Sequence, residues 1–397
     1  MPALGRAAGF ALIAYAFLIT MVGATLPTPL YPLYQAKYDL GELMVTVIFA
    51  IYAFGVLAGL LLFGALSDEV GRRPMLLLGI GFSALSSVLF AVAGSLGPIY
   101  AGRAISGLSA GIFTGTATAT LVDLAPGGQR RLATLVAVFV NLGGLGSGTL
   151  LAGVIADHTD SPLRLPFLVH LALLAPALVG VFLTPETVER RRFRFQLQRV
   201  GVPAEVRAVF VRGAASGFAS FAVGGVYSSV APAFLGQVLG HHSHALAGLL
   251  VFILFGTSIV GQLALSRLTD RQALGAGCLL LAGGVGLLAL GLGIESLATL
   301  LVSAAVVGIG QGLVIGAGLA AINQRAPVER RGETASSFFV VLYVGLSVPV
   351  IGTGLLAQAW SLRTAGMVFS AAVAALVLAV FASLGRSDRP SASASAA

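Results

Sequence analysis

The residue with the largest chemical consequence is Arg103, which stands inside an apolar run from 98 to 123. A guanidinium in such surroundings is costly unless it is paired or hydrated, and residues of this kind usually serve a function. Two readings of it are open: a charge used in the protein's activity, or an arginine that hydrogen-bonds helix-end carbonyls within its own bundle. A second charged group gathers at Asp68, Arg72 and Arg73, in a short segment between two apolar runs, with Asp123 at the end of a third. A carboxylate placed like Asp68 suits the N-terminal end of a helix, whose unpaired N–H groups favour negative charge. Asp123 is the natural partner for Arg72. Gly64 allows close helix contact, and Gly71 can take a turn conformation closed to other residues. Three histidines, His241, His242 and His244, lie together as HHSH. Lacking a fourth ligand, they read as solvated side chains and not as a metal site. Cys278 is the one cysteine, which leaves neither an internal disulfide nor a thiolate cluster. No nucleophile elbow, phosphate-binding loop or zinc-protease motif occurs, so no enzymatic chemistry and no cofactor is expected.

The elements that must position these groups are set by the solvent the chain is built for. Charged residues are 10% of the 397 positions and the hydrophobic set 57%, against about 25% charged in a soluble domain. The 52 glycines are compatible with helix in lipid, where they let backbones approach closely. A net charge of +8 does not point to nucleic acid, because the arginines sit in short loops between apolar runs and not on one basic face. Twelve runs are long enough to cross a bilayer: 8–30, 43–66, 75–95, 98–123, 133–155, 165–184, 207–235, 244–267, 274–294, 296–323, 333–357 and 362–385. With both termini in the cytoplasm, 19 of the 23 basic residues fall on that side, as the positive-inside rule requires. The polar stretch 186–206 reads as a cytoplasmic linker between a bundle at 1–185 and another at 207–385. Residues 386–397 read as a disordered tail.

A repeat of about 201 residues joins the two halves. Gly107, Gly111, Gly115 and Ala125-Pro126 answer Gly308, Gly312, Gly316 and Ala326-Pro327, and Leu66 to Asp68 answers Leu268 to Asp270 at 202. Glycines at i, i+4 and i+8 form one small face on each helix, suited to a close neighbour. A duplicated membrane chain usually places its binding site between the copies.

The segment Gly64-Ala65-Leu66-Ser67-Asp68-Glu69-Val70-Gly71-Arg72-Arg73-Pro74 resembles the loop signature G-x-L-[SA]-D-x-x-G-R-[RK] of the major facilitator superfamily. Arg103, Gly107 and Gly111, spaced by four, are similar to the family's second motif. Gly148 to Gly153 matches the antiporter motif G-P-x-x-G-G in part, with Thr149 in place of the proline and Ala152 in place of one glycine. Together with the repeat, the resemblance covers the whole chain and points to the twelve-helix drug/proton antiporter branch. It implies an all-α membrane protein of twelve transmembrane helices in two six-helix bundles, acting as a monomer in the cell membrane. It also implies a cytoplasmic gate of Gly64, Asp68, Gly71, Arg72, Arg73 and Asp123. In that gate Asp68 meets the eleventh span, beginning near Thr334, and latches the halves while the cavity opens outward. Arg103 is then the coupling residue. Glu69 departs from the pattern, since its position is often basic in the family, and the extra negative charge weakens or rewires the latch.

In this architecture the first, fourth, seventh and tenth spans line the path. The candidates to line a substrate cavity are Thr25, Tyr52, Asn141, Tyr227, Gln311 and Tyr343. No buried carboxylate accompanies them, and Arg103 is the one buried base. An anionic solute would call for several basic groups and a cation for a carboxylate, so a neutral or amphipathic compound fits better. The expected function is secondary transport by alternating access: proton-coupled efflux of a small molecule, with protons and membrane lipid as its other partners. An uptake symporter for a small metabolite and a non-transporting membrane sensor are the alternatives.

Overall fold

The computed structural model describes residues 5–64, 66–188 and 199–386. Ala65 of the loop motif, the linker arginines Arg190, Arg191, Arg192 and Arg194, and the expected tail from 387 onward lie outside them. Twelve helices are long and apolar enough to cross a membrane. They are α1 (Arg6–Thr25), α2 (Glu42–Phe63), α3 (Arg72–Ala91), α4 (Leu96–Asp123), α5 (Arg130–Asp157) and α6 (Leu165–Leu183), then α7 (Arg207–Ser229), α8 (His244–Ala264), α9 (Asp270–Gly293), α10 (Leu297–Arg325), α11 (Arg331–Ala359) and α12 (Leu362–Arg386). No strand occurs among the described residues. In hydrocarbon each backbone N–H and C=O must be satisfied within the segment, and helix is the form that does so. The end at which α1 begins is called proximal below, and the opposite end distal.

Two apolar runs break earlier than their hydropathy suggests. α1 stops at Thr25; the chain then makes a 3-10 turn over Thr28–Leu30, with Pro27 and Pro29, and a short helix Tyr31–Tyr38. α7 stops at Ser229 and is followed by a short helix Ala231–Gln237, with Pro232 in its first turn. Proline lacks the N–H that continues a helix and crowds the preceding turn, so both runs bend where the expected spans 8–30 and 207–235 run straight. The bends fall at equivalent places in the two halves.

Each half packs in the same way. α1 lies on α5 and α7 on α11; α2 lies on α4 and α8 on α10; α3 packs on α4 and α6, as α9 does on α10 and α12. The glycine faces produce two of these contacts. A Cβ at Gly107 or Gly111 would strike the backbone of α2 at Tyr52 and Val56, and one at Gly308 or Gly312 that of α8 at Leu254 and Ser258. Gly55 and Gly59 answer from α2, as Gly261 does from α8. Gly115, the next in its row, meets nothing within 4 Å, so the close approach of α2 and α4 ends before it.

Two helix pairs join the halves, α5 with α8 and α2 with α11. Their described close contacts lie at the distal end. Gly153 abuts His244, Gly248 abuts Thr149, and Gly354 abuts Thr46. Midway along, Gly146 still touches Phe252 and Phe255.

Candidate functional site

Arg103 projects from α4 into the distal part of the first bundle and is 1% exposed. One guanidinium nitrogen donates to the carbonyl of Ala24, 3.0 Å away in the last turn of α1. Such last-turn carbonyls lack an intrahelical partner, and a cation there also meets the negative end of the helix dipole. Three rings complete the cage: Tyr52 with its centroid 4.7 Å from the guanidinium carbon, Phe49 at 5.7 Å and Tyr31 at 5.9 Å. Cation–π attraction in a desolvated place is worth about 2 kcal/mol for a good pair, which offsets part of the burial cost. Arg103 Nε and the hydroxyls of Tyr31 and Tyr34 have no hydrogen-bond partner. Among the described residues, Arg103 is the only buried Arg, Lys, Asp or Glu. The helix-end carbonyl bond expected for an arginine of structural use is therefore present, together with an unpaired donor that such a use does not explain.

The cavity candidates divide by what their polar atoms do. Tyr52 and Tyr343 belong to the seam: Tyr343 of α11 packs against the core of the first half and meets Phe221 edge-on, with centroids 5.6 Å apart. Arg103, Tyr52, Tyr343 and Phe221 thus run from one half to the other. Asn141 is half-buried on α5. Gln311 is buried on α10 with its Oε1 unpaired. Thr25 spends its hydroxyl on the carbonyl of Leu145, 2.7 Å away on α5. Tyr227 turns into the second half, donating to Ser303 Oγ at 2.7 Å, which in turn donates to Gly284 O. Neither of the last two offers a free polar group to a ligand. His170 is packed, bonding Ser87 and the carbonyl of Ile19.

At the proximal end the loop motif forms a closed network within the first half. Arg72 pairs with Asp68 at 2.7 Å, donates to Ser67 Oγ at 2.9 Å, and stands 3.5 Å from Asp123. Asp123 also accepts from Thr187, and its carbonyl from Arg6. Arg73 lies over the Phe182 ring. Gly71 has φ +115°, the turn conformation foreseen for it. Gly64 is exposed at the end of α2. A residue with no assigned role in the sequence, Glu186, is central here. Its carboxylate accepts from the N–H groups of Arg72 and Arg73, at 2.9 and 3.2 Å, and so caps α3. Two-thirds of the Asp68 side chain is exposed.

The distal end carries the strongest polar link between the halves. Asp157, at the end of α5, accepts from the backbone N–H of His244 (2.8 Å) and Ala245 (2.9 Å), from Ser243 Oγ (2.7 Å) and from His244 Nδ1 (2.7 Å). One carboxylate thereby caps α8 from the opposite bundle. His244, read from the sequence as solvated, is instead part of this clamp. Gln237 adds a bond to Glu42, and Thr149 one to the carbonyl of Gly248. Among the described residues, the hydrogen bonds that cross between the halves all lie on this side. Asp157, like Glu186, gave no sequence signal of its partner, because 86 residues separate it from Ser243.

A twelve-helix duplicated bundle sealed at one end is the geometry of a carrier, and comparison with known proteins decides its kinship. The family model described as Major Facilitator Superfamily matches residues 13–348, and again 216–397. The chain belongs to the major facilitator superfamily. Among its relatives are the Multidrug efflux protein YfmO of Bacillus subtilis (strain 168), 26% identical over 51% of this chain and 48% of that protein, and the class D Tetracycline resistance protein of Salmonella ordonez, 31% identical over 34% of each. Another is the Alpha-glucosides permease MPH3 of Saccharomyces cerevisiae (strain YJM789), 30% identical over 36% of this chain and 25% of that one. The chain spans about half the length of the first of these and about a third of the second. In fold it is similar to a POT family transporter solved in complex with a thioalcohol-conjugated peptide, with TM-score 0.75, 12% identity and coverage of 97% and 96%. This superfamily member is a multi-pass membrane protein.

Proposed function

We propose that this transporter exports a small neutral or amphipathic compound in exchange for protons, by alternating access in the cell membrane. The single observation that carries the substrate class is the solitary burial of Arg103: among the described residues no buried carboxylate accompanies it to hold a cation, and no second buried base to hold an anion. The seam is aromatic, through Tyr52, Tyr343 and Phe221, and suits an apolar surface. Asn141 and Gln311 supply a small number of polar contacts for orientation. The efflux and resistance relatives support export.

With the arginine-rich proximal end in the cytoplasm, the clamp at Asp157 seals the outside and the described state faces inward. Asp68 then awaits its partner. When the distal clamp opens, the halves rock, and Asp68 reaches the N-terminal turn of α11 near Thr334, where unpaired N–H groups favour a carboxylate. Arg72 and Asp123 hold Asp68 in position for that closure. An unchanged conformational equilibrium in Asp68→Asn would remove the latch. Arg103 contributes to coupling electrostatically, altering the acidity of a nearby group as access to it switches.

The decisive test is reconstitution in proteoliposomes under an imposed pH gradient, with lipophilic drugs and small metabolites as substrates. Accumulation that follows the gradient in the antiport direction supports export; the opposite direction supports the second reading, proton-coupled uptake, which the sugar permease relative favours. Flux that ignores the gradient would overturn both.

A further inference from the structure

At the proximal end the two halves differ in a way that their repeat makes visible. In the first half Asp123 gathers Arg6, Arg72 and Thr187 around itself. In the second, the 201-residue register puts Gln324 and Arg325 where the first has Asp123 and Leu124. The carboxylate is gone and a base stands next to its place. A cavity of about 300 Å³ opens there, between α7, α9, α10 and α12. Three arginines line it, Arg212 from α7, Arg271 from α9 and Arg325 from α10, with Asp270 as the one acid. Arg271 is anchored on the carbonyl of Leu384, 2.9 Å away. Arg212 and Arg325 form no ion pair with any described residue, Asp270 included. The rest of the lining is apolar, with Leu274 and Leu384 on the walls. At the floor α7 and α10 touch so closely that a Cβ at Gly213 would lie 3.2 Å from the Cα of Gly318.

We infer that this cavity binds the phosphodiester headgroup of an anionic phospholipid, with Arg212 and Arg325 on the phosphate and the acyl chains leaving along the apolar walls. A guanidinium pair matches phosphate oxygens by charge-assisted hydrogen bonds. Basic pockets between helix ends at the membrane surface suit such headgroups, and the apolar walls favour a lipid over a free ion. The bound lipid would brace α7, α9, α10 and α12 at the proximal end of the second half, where Gln324 stands in place of Asp123.

The test is the thermal unfolding midpoint of the full-length protein in mild detergent, titrated with phosphatidylglycerol, phosphatidylcholine or inorganic phosphate. Saturable stabilisation by phosphatidylglycerol alone is expected. The half-saturating concentration should rise about fivefold for each arginine removed in R212Q and R325Q. R212K should retain more of the effect than R212Q, and Arg130→Gln, in the first half, should titrate like the wild type. Equal stabilisation by phosphatidylcholine or by inorganic phosphate would overturn the assignment, as would an unchanged titration in both single variants.

Discussion

Gly71 holds φ +115°, and a Cβ there would sit 2.6 Å from the Glu186 carboxylate that caps α3. Gly71→Ala therefore combines a strained backbone with loss of the cap, and should lower stability by about 1–3 kcal/mol. Thermal unfolding in detergent reads this, and Glu186→Gln should lose the cap component alone. Arg103 predicts the opposite division between stability and function. A buried ion replaced by an apolar side chain of similar length often leaves stability unchanged or raised. Arg103→Met should keep the unfolding midpoint while abolishing gradient-driven flux in proteoliposomes; loss of the fold together with the flux would reduce Arg103 to a structural pin on Ala24.

At the scale of elements, the distal seam depends on glycines where α5 and α8 touch through their backbones. A Cβ at Gly153 would lie 2.8 Å from the Cα of Ala245 and closer still to the carbonyl of His244. Gly153→Leu should drive the two helices apart and shift the population away from the distally closed state. Faster thiol labelling of a cysteine introduced at Ser243 would register it. Much of this level was legible in the sequence. The twelve spans, the repeat and the faces at Gly107 and Gly308 follow from local periodicity, which is a property of the chain in one dimension. The proline bends at Pro27 and Pro232 were equally local, but hydropathy averages over them. Glu186 and Asp157 were not legible as caps, because a carboxylate announces its charge and not the distant helix it meets. Tyr31 and Tyr34 left a faint signal, an aromatic cluster just beyond the first span, which composition alone does not direct toward Arg103.

For the whole molecule, the arrangement predicts motion of two stiff halves about their seam. Glycine contacts lock α2 to α4 and α8 to α10 within the halves, whereas across the seam α5 meets α8 through distal hydrogen bonds and glycine contacts, and α2 meets α11 where Thr46 abuts Gly354. A cysteine pair at Thr46 and Gly354 tests this. A Cβ at 354 would lie 3.1 Å from that of Thr46, close enough for a disulfide to form in the closed state. Oxidation of T46C/G354C should stop transport and reduction restore it; undiminished flux in the oxidised form would exclude distal opening as an obligatory step. The clamp at Asp157 has a practical corollary. Because a single side chain supplies four of the bonds that hold the halves shut, Asp157→Ala offers a way to enrich the opposite conformer, against which state-selective antibodies or inhibitors could be raised at the distal surface.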